Sequence, residues 1–407
     1  MNNPKKLNIL FLTLVSIDSL NERGIYQDLL RKFVKEGHEV TIVTPVERRR
    51  KLKTNISHFD SYSILQVKTL NITKTNIIEK GIGTISIEAM YLSAIKKYLP
   101  KSKFDLLLYS TPPITFVKVI SYIKKRDQAL AYLLLKDIFP QNAVDIGLMK
   151  EKSLIHSFFR RKEKALYQMS DFIGCMSPAN VDFVLNNNPF IDKRQVEVCP
   201  NSIEIDNTLF DKKEITTIRK NHNIPQNSIV FIYGGNLGKP QGVDFLLKVL
   251  ESNKDKKDRY FLIVGSGTEY YKIKEWFYVN NPTNAKLIPG LPKEEYDKLL
   301  RSCDVGLIFL DPRFSIPNYP SRLLSYLENK MPVLMATDKN TDIGKIAEEN
   351  GYGVWTENGN LEGFNRLLGK FCDKALYIKE MGEKGYAFLK ENYTVDKSYE
   401  IIMKHFN

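Results

Sequence analysis

Leu7-Asn8-Ile9-Leu10-Phe11-Leu12 and, further on, Glu39-Val40-Thr41-Ile42-Val43-Thr44 are the segments on which the fold turns. The first is an almost wholly apolar, β-rich run, as a strand covered on both faces must be. A polar loop from Ser16 to Gly24 follows it, then a helical pattern from Ile25 to Glu36 that stops at Gly37-His38. Strand, loop, helix, glycine, strand is a βαβ unit, which requires parallel strands and a right-handed crossover. Working outward, further buried strands are expected at Leu106–Tyr109, Ala131–Leu135 and Phe172–Met176, with helices over Ile85–Tyr98 and Ser153–Met169.

A second series of the same kind begins after Pro200-Asn201. Ile229–Tyr233 runs into Gly234-Gly235-Asn236-Leu237-Gly238, and Tyr260–Val264 runs into Gly265-Ser266-Gly267. Later strands fit Lys286–Ile288, Val305–Phe309 and Val333–Met335. The chain thus reads as two α/β halves joined by a hinge near residues 200–210. Ligands of open α/β sheets bind beyond the carboxyl ends of the strands, so two such halves suit a pair of substrates meeting in one crevice.

Bulk properties narrow the classes. A chain of 407 residues with 43% hydrophobic content has room for two or three domains, and is neither fibrous nor disordered. The net charge is +13, with cations clustered at Arg48-Arg49-Arg50-Lys51, Lys124-Lys125-Arg126 and Arg160-Arg161-Lys162. Such runs suit solvated surface, an anionic membrane or nucleic acid. Nucleic-acid binding would need cations along one groove with stacking aromatics, whereas these sit at scattered helix ends. His156–Lys162 and Phe116–Arg126 suit an interfacial patch, and equally a buried helix with basic ends. Cysteines 175, 199, 303 and 372 are too scattered for a zinc or disulfide framework and read as buried thiols of a reducing cytoplasm. The apolar run at Leu7 is too short for a signal peptide, and no stretch reaches the ~18 apolar residues of a membrane span.

Three turns of the second half carry candidate chemistry. In Gly234-Gly235-Asn236-Leu237-Gly238-Lys239-Pro240-Gln241-Gly242 the missing Cβ atoms let backbone approach a phosphate, and Lys239 adds charge. Gly265-Ser266-Gly267 lacks the full dinucleotide fingerprint. Ile316-Pro317-Asn318-Tyr319-Pro320-Ser321-Arg322 leads into a helix over Leu323–Asn329, whose first amides and dipole suit an anion that Arg322 would clamp. Each also reads as an ordinary structural turn. Asp137, between a buried strand and an aromatic-proline loop, is placed either to orient or deprotonate a hydroxyl or to cap a turn. His38 reads as structural.

Further pieces keep a recognisable order: Phe33–Thr41, Tyr109-Ser110-Thr111-Pro112-Pro113, Asp137-Ile138-Phe139-Pro140-Gln141, Cys199–Glu204, Cys303–Leu307 and Pro320-Ser321-Arg322 ahead of Pro332-Val333. With the glycine turns they resemble the GT-B-fold glycosyltransferases of the large retaining family four, in the bacterial polysaccharide branch of fucosamine-transferase-like proteins. The resemblance implies an α/β chain of two Rossmann-like domains facing a cleft. Residues 1–203 would bind acceptor, 204–385 a nucleotide sugar, and 386–407 form a helix packing back on the first domain.

Carried over by position, the donor would meet Gly235, Asn236, Lys239, Gln241, Gly265, Gly267, Leu291, Ser321, Arg322 and Ser325. The acceptor would meet Arg23, Gly24 and Thr111, with Asp137 assisting catalysis; no metal or other cofactor is implied. Asn236 stands where many relatives have Arg, and Gln241 where they have Lys. The family's Glu-x7-Glu pair falls on Pro317 and Ser325, which removes the usual ribose contact and leaves Glu328, one turn on, as a stand-in. The implied reaction moves a sugar from a UDP-linked donor to a glycan or polyprenyl-diphosphate-linked acceptor of capsule or O-antigen synthesis. The enzyme would be cytoplasmic, or peripheral on the inner face of the plasma membrane. A sugar-nucleotide epimerase of similar two-domain fold is the alternative, but it needs a cleft histidine, and none lies near the expected loops.

Overall fold

Two sheets organise the chain, and each belongs to its own unit in this computed structural model. Residues 6–72, 77–206, 212–373 and 375–406 are described; residues 1–5 and the 207–211 part of the expected hinge lie outside them. One unit comprises Met1–Glu204 with Val395–Asn407, the other Ile205–Thr394.

The first sheet contains β1 (Asn8–Leu12), β2 (Glu39–Glu47), β3 (Asn55–His58), β4 (Tyr62–Thr69), β5 (Leu106–Ser110), β6 (Leu130–Leu135), β7 (Phe172–Cys175) and β8 (Val196–Val198). Their order is β3-β4-β2-β1-β5-β6-β7-β8. All neighbours are parallel except the half-exposed edge strand β3, which runs antiparallel to β4. The central β5 is buried throughout, as a strand sandwiched between helix layers must be. The amphipathic helix Ile25–Lys35 lays Tyr26, Leu29, Leu30 and Phe33 into the core under β1 and β2.

The same core takes in Val395, Ile402 and Met403. They come from the helix Val395–Met403, which is fixed to this unit by Asp396–Lys32 at 2.6 Å and by the Val395 amide on the Ile203 carbonyl at 3.2 Å. His38 joins this attachment. Its Nδ1 accepts the Leu7 amide at 3.1 Å, its Nε2 lies 2.9 Å from the Tyr399 hydroxyl, and burial lowers its pKa. The return to the first unit therefore starts at Val395 and not at residue 386. The preceding helix, Ala375–Asn392, stays in the second unit because Gly382 and Gly385 let it close on the backbone of Lys330 and the side chain of Leu327.

The second sheet holds β9 (Ile229–Asn236), β10 (Arg259–Ser266), β11 (Ala285–Pro289), β12 (Val305–Phe309), β13 (Val333–Thr337) and β14 (Gly353–Glu357), all parallel. Their order, β11-β10-β9-β12-β13-β14, is that of a nucleotide-binding Rossmann sheet. Chain direction across such a sheet reverses between β9 and β12, where the following loops part and leave a crevice. In the first sheet the equivalent point lies between β1 and β5. These two places are where ligands of open parallel sheets bind.

Candidate functional site

At the β9/β12 point the glycine turn meets Arg322. Gly235 sits at φ +119, a conformation that glycine reaches without strain, and a Cβ there would lie 3.8 Å from Nη2 of Arg322. Arg322 opens the helix Arg322–Glu328. Its Nη2 donates to Oε1 of Gln241 at 2.6 Å, and its guanidinium carbon lies 4.3 Å from the centre of the Tyr233 ring. The Tyr233 hydroxyl lies 2.9 Å from the Asn236 carbonyl and 3.1 Å from the same Gln241 oxygen. Nη1 of Arg322 is buried and has no hydrogen-bond partner among the described residues. A guanidinium does not deprotonate, and leaving a buried donor unsatisfied costs about 1–3 kcal/mol, more for a charged group. The arrangement leaves one buried, charged donor unspent.

The helix start contributes less than its sequence suggested. The amides of Leu323 and Leu324 donate to the Pro320 and Ser321 carbonyls at 3.2 and 3.1 Å, so tight turns of the chain take up the first-turn donors. Ser321 is exposed at the N-cap and its side chain caps nothing. The unspent donor shown at this turn is on the side chain of Arg322, while the Leu323 and Leu324 amides are taken up.

The other expected donor residues surround this point or shape it. Asn236 is exposed at the end of β9, and its side chain occupies room left by Gly238 and Gly267. Gly265 and Gly267 are packing glycines: a Cβ on either would strike the Gly235 or Leu237 carbonyl. Lys239, in the short 3₁₀ turn Lys239–Gln241, is exposed. Leu291 is half-buried just past β11, on the same carboxyl edge. Ser325 lies one turn into the Arg322 helix and is half-buried. Glu328 is not a free stand-in for the missing pair, because its carboxylate accepts the Asp206 amide at 2.8 Å. Tyr233, the platform under Arg322, was missed in the sequence; the signal was an aromatic at the last position of a strand that enters a glycine turn.

In the first unit the structure brings Thr111 and Asp137 together. The buried Thr111 hydroxyl accepts the Lys136 and Asp137 amides at 3.0 and 3.2 Å and donates to the Asp137 carbonyl at 3.1 Å. Thr111 therefore ties the end of β5 to the end of β6. Both carboxylate oxygens of Asp137 accept from Nδ2 of Asn142, at 2.8 and 2.7 Å. Burial raises the pKa of Asp137 to about 6, against the lowering effect of Asn142 and the Ile138 amide. Beside it Lys136, also missed in the sequence, donates to the Cys199 carbonyl at 3.3 Å, and burial lowers its pKa to about 8.

Arg23 and Gly24 form a separate knot at the end of the loop after β1. Arg23 donates to the Glu204 carbonyl at 3.1 Å, and the Gly24 amide donates to Oδ1 of Asp28 at 3.1 Å. The cationic runs are also partly spent. Lys124 pairs with Asp171 at 2.8 Å, Arg126 with Asp127 at 2.7 Å, Arg50 with Asp18 at 3.0 Å, and Arg160 with Glu163.

Residues 214–388 match the family model of the glycosyl transferases group 1. That stretch lies inside the second unit and contains Gly235, Gln241 and Arg322. Over 326 residues the chain is 22% identical to a probable glycosyltransferase, WbjE, of Pseudomonas aeruginosa, covering 79% of this chain and 78% of that one. Among solved structures it resembles a sucrose-phosphate synthase from Thermosynechococcus elongatus, with a TM-score of 0.76 at 12% identity over 98% of both chains. It also resembles Anabaena HepE in complex with UDP and glucose, with a TM-score of 0.71 at 12% identity over 98% of this chain and 99% of that one. The architecture is the GT-B fold.

Proposed function

We propose that the protein is a sugar-nucleotide-dependent glycosyltransferase that uses a UDP-linked donor, retains the anomeric configuration and works without a metal. The single observation that carries this is the buried, unpaired Nη1 of Arg322 beside Gly235, at the switch point of a nucleotide-binding sheet. An anionic diphosphate fits there, and the group 1 match and the UDP held by HepE support a nucleotide sugar as its source.

As the glycosidic bond to the donor breaks, negative charge grows on the departing diphosphate. Arg322, already held by Gln241 and Tyr233, meets that charge without reorganising, and Lys239 adds a solvated cation nearby. In the retaining reading the acceptor hydroxyl passes its proton to the departing phosphate oxygen on the same face, so no protein nucleophile is required. Asp137, ionised above about pH 6, orients the hydroxyl of the acceptor. The relatives favour transfer over epimerisation. A relative with a colanic acid biosynthesis name supports bacterial surface polysaccharide as the product, and the same reading takes a glycan or polyprenyl-diphosphate-linked acceptor and a peripheral place on the inner plasma membrane.

A thermal-shift titration with UDP and a panel of UDP-sugars tests the donor site, since a ligand at a hundred times its Kd stabilises by about 2.7 kcal/mol. The parent protein should shift and Arg322→Ala should not. An equal shift in both removes Arg322 from the donor site.

A further inference from the structure

Three tyrosines stand around the end of β9, and their hydroxyls are not equally employed. The Tyr233 hydroxyl is taken up by the Asn236 carbonyl and the Gln241 side chain. The buried Tyr326 hydroxyl accepts the Gly234 amide at 3.3 Å and lies 3.2 and 3.3 Å from the Ile232 and Leu307 carbonyls. It bridges β9 and β12 at the place where they part. Tyr296, on the helix Lys293–Leu300 that follows β11, makes no hydrogen bond through its hydroxyl among the described residues.

Leu299 and Leu300 fix that helix to the core, and Tyr296, three and four positions before them, shares their face. Its ring is half-buried. A Cβ on Gly234 would overlap the Tyr296 hydroxyl oxygen, so glycine at that position leaves the room the hydroxyl fills. One residue on, Gly235 faces Nη2 of Arg322. Burial pushes the pKa of the Tyr296 hydroxyl well above the usual tyrosine value, with the Arg322 charge pulling the other way, so the group keeps its proton. A ring that only filled space would need no hydroxyl, and a buried one without a partner carries a desolvation cost.

We propose that Tyr296 is a second ligand of the donor diphosphate, its hydroxyl donating to a phosphate oxygen while Nη1 of Arg322 pairs with the same group. The inference rests on the transferase reading, in which this crevice holds a nucleotide sugar. A diphosphate brings more than one negative charge, whereas the turn offers one guanidinium, because Asn236 and Gln241 are neutral and Lys239 is out in solvent. A neutral donor beside the cation adds a directed contact without taking a second charge out of water. The hydroxyl keeps its proton throughout, so its part in the reaction is to hold the phosphate as charge grows on it.

The test is calorimetric titration of the full chain with UDP, and with uridine in competition against it. Tyr296→Phe keeps the ring and loses only the oxygen, so its melting temperature without ligand should match the parent. Its UDP Kd should rise about tenfold, the scale of a hydrogen bond to a charged group, while its uridine affinity stays at the parent value. An unchanged UDP Kd overturns the proposal. So does an equal loss for uridine, which would put the hydroxyl on the base or ribose instead of the phosphates. The same titrations keep this inference apart from the reading beneath it. A parent that does not bind UDP takes both down, whereas a UDP affinity lost in Arg322→Ala and intact in Tyr296→Phe defeats Tyr296 alone.

Discussion

The loops beyond the two sheets gather groups of opposite charge. After β9 and β12 the second unit assembles glycines and one buried cation with an unspent donor, Nη1 of Arg322. Near the ends of β5 and β6 the first unit assembles a buried carboxylate, Asp137, and its arginine, Arg23, donates to the Glu204 carbonyl. One topology thus serves two tasks. In the proposed reading the strand order sets where a ligand goes, and the charge gathered there sets what kind of ligand it is.

The sharpest way to break this contrast is Arg322→Ala. It should abolish the UDP melting shift and reduce kcat/KM by about a thousandfold, the scale of losing a preorganised donor to a developing oxyanion. Next comes Asp137→Asn, with a loss of about a hundredfold in transfer rate and little change in UDP binding. Here pH separates assistance from structure. The carboxylate is ionised above about pH 6, so the parent rate should fall as pH drops through 6, and the asparagine variant should lose that limb. Stability should run the other way. Burial raises the folded pKa, so the stability that Asp137 supplies is present at low pH and lost as pH rises through 6, which urea midpoints at pH 4.5 and 7.5 would register.

Gln241→Ala sharpens the picture at smaller scale. Without the oxygen that holds Nη2, the guanidinium loses its aim, and the UDP Kd should rise about tenfold; a change in kcat alone would give Gln241 a different role. Smallest is Lys239→Ala. An exposed cation is screened by solvent and salt, so a two- to threefold loss at low ionic strength that vanishes at about 0.5 M salt is expected in the same titration.

Much of the scaffold was legible because buried parallel strands are short apolar runs, and those at Leu106, Ala131, Val305 and Val333 declare themselves. The strands that escaped are the ones that break that rule. Asn55–His58 is a half-exposed edge, Tyr62–Thr69 mixes serine, glutamine and lysine with its apolar residues, Val196–Val198 is three residues long, and Gly353–Glu357 mixes a tryptophan with polar positions. At the site, Arg322 and the glycine turn could be read from their place after strands, but their partners could not. Arg322 lies 81 residues beyond Gln241, and meets it and Tyr233 only once β9 and β12 lie side by side. Asn142 reaches Asp137 only when Gln141–Asp145 coils into a short helix. Lys136 looked like any surface lysine until the carbonyl of Cys199 closed over it. Glu328 shows the converse: spacing offered it as a ligand, and the fold spent it on Asp206.

Because Val395, Ile402 and Met403 complete a core begun by Leu7, Ile9 and Phe11, the first unit depends on a segment made after the whole of the second unit. During translation the second unit is complete once Thr394 has left the ribosome, whereas its predecessor waits with the flank of the helix Ile25–Lys35 uncovered. The order of maturation is then the reverse of the order of synthesis. A chain cut after Thr394 would hold a finished second unit and a first unit whose apolar core lies partly open, which invites aggregation.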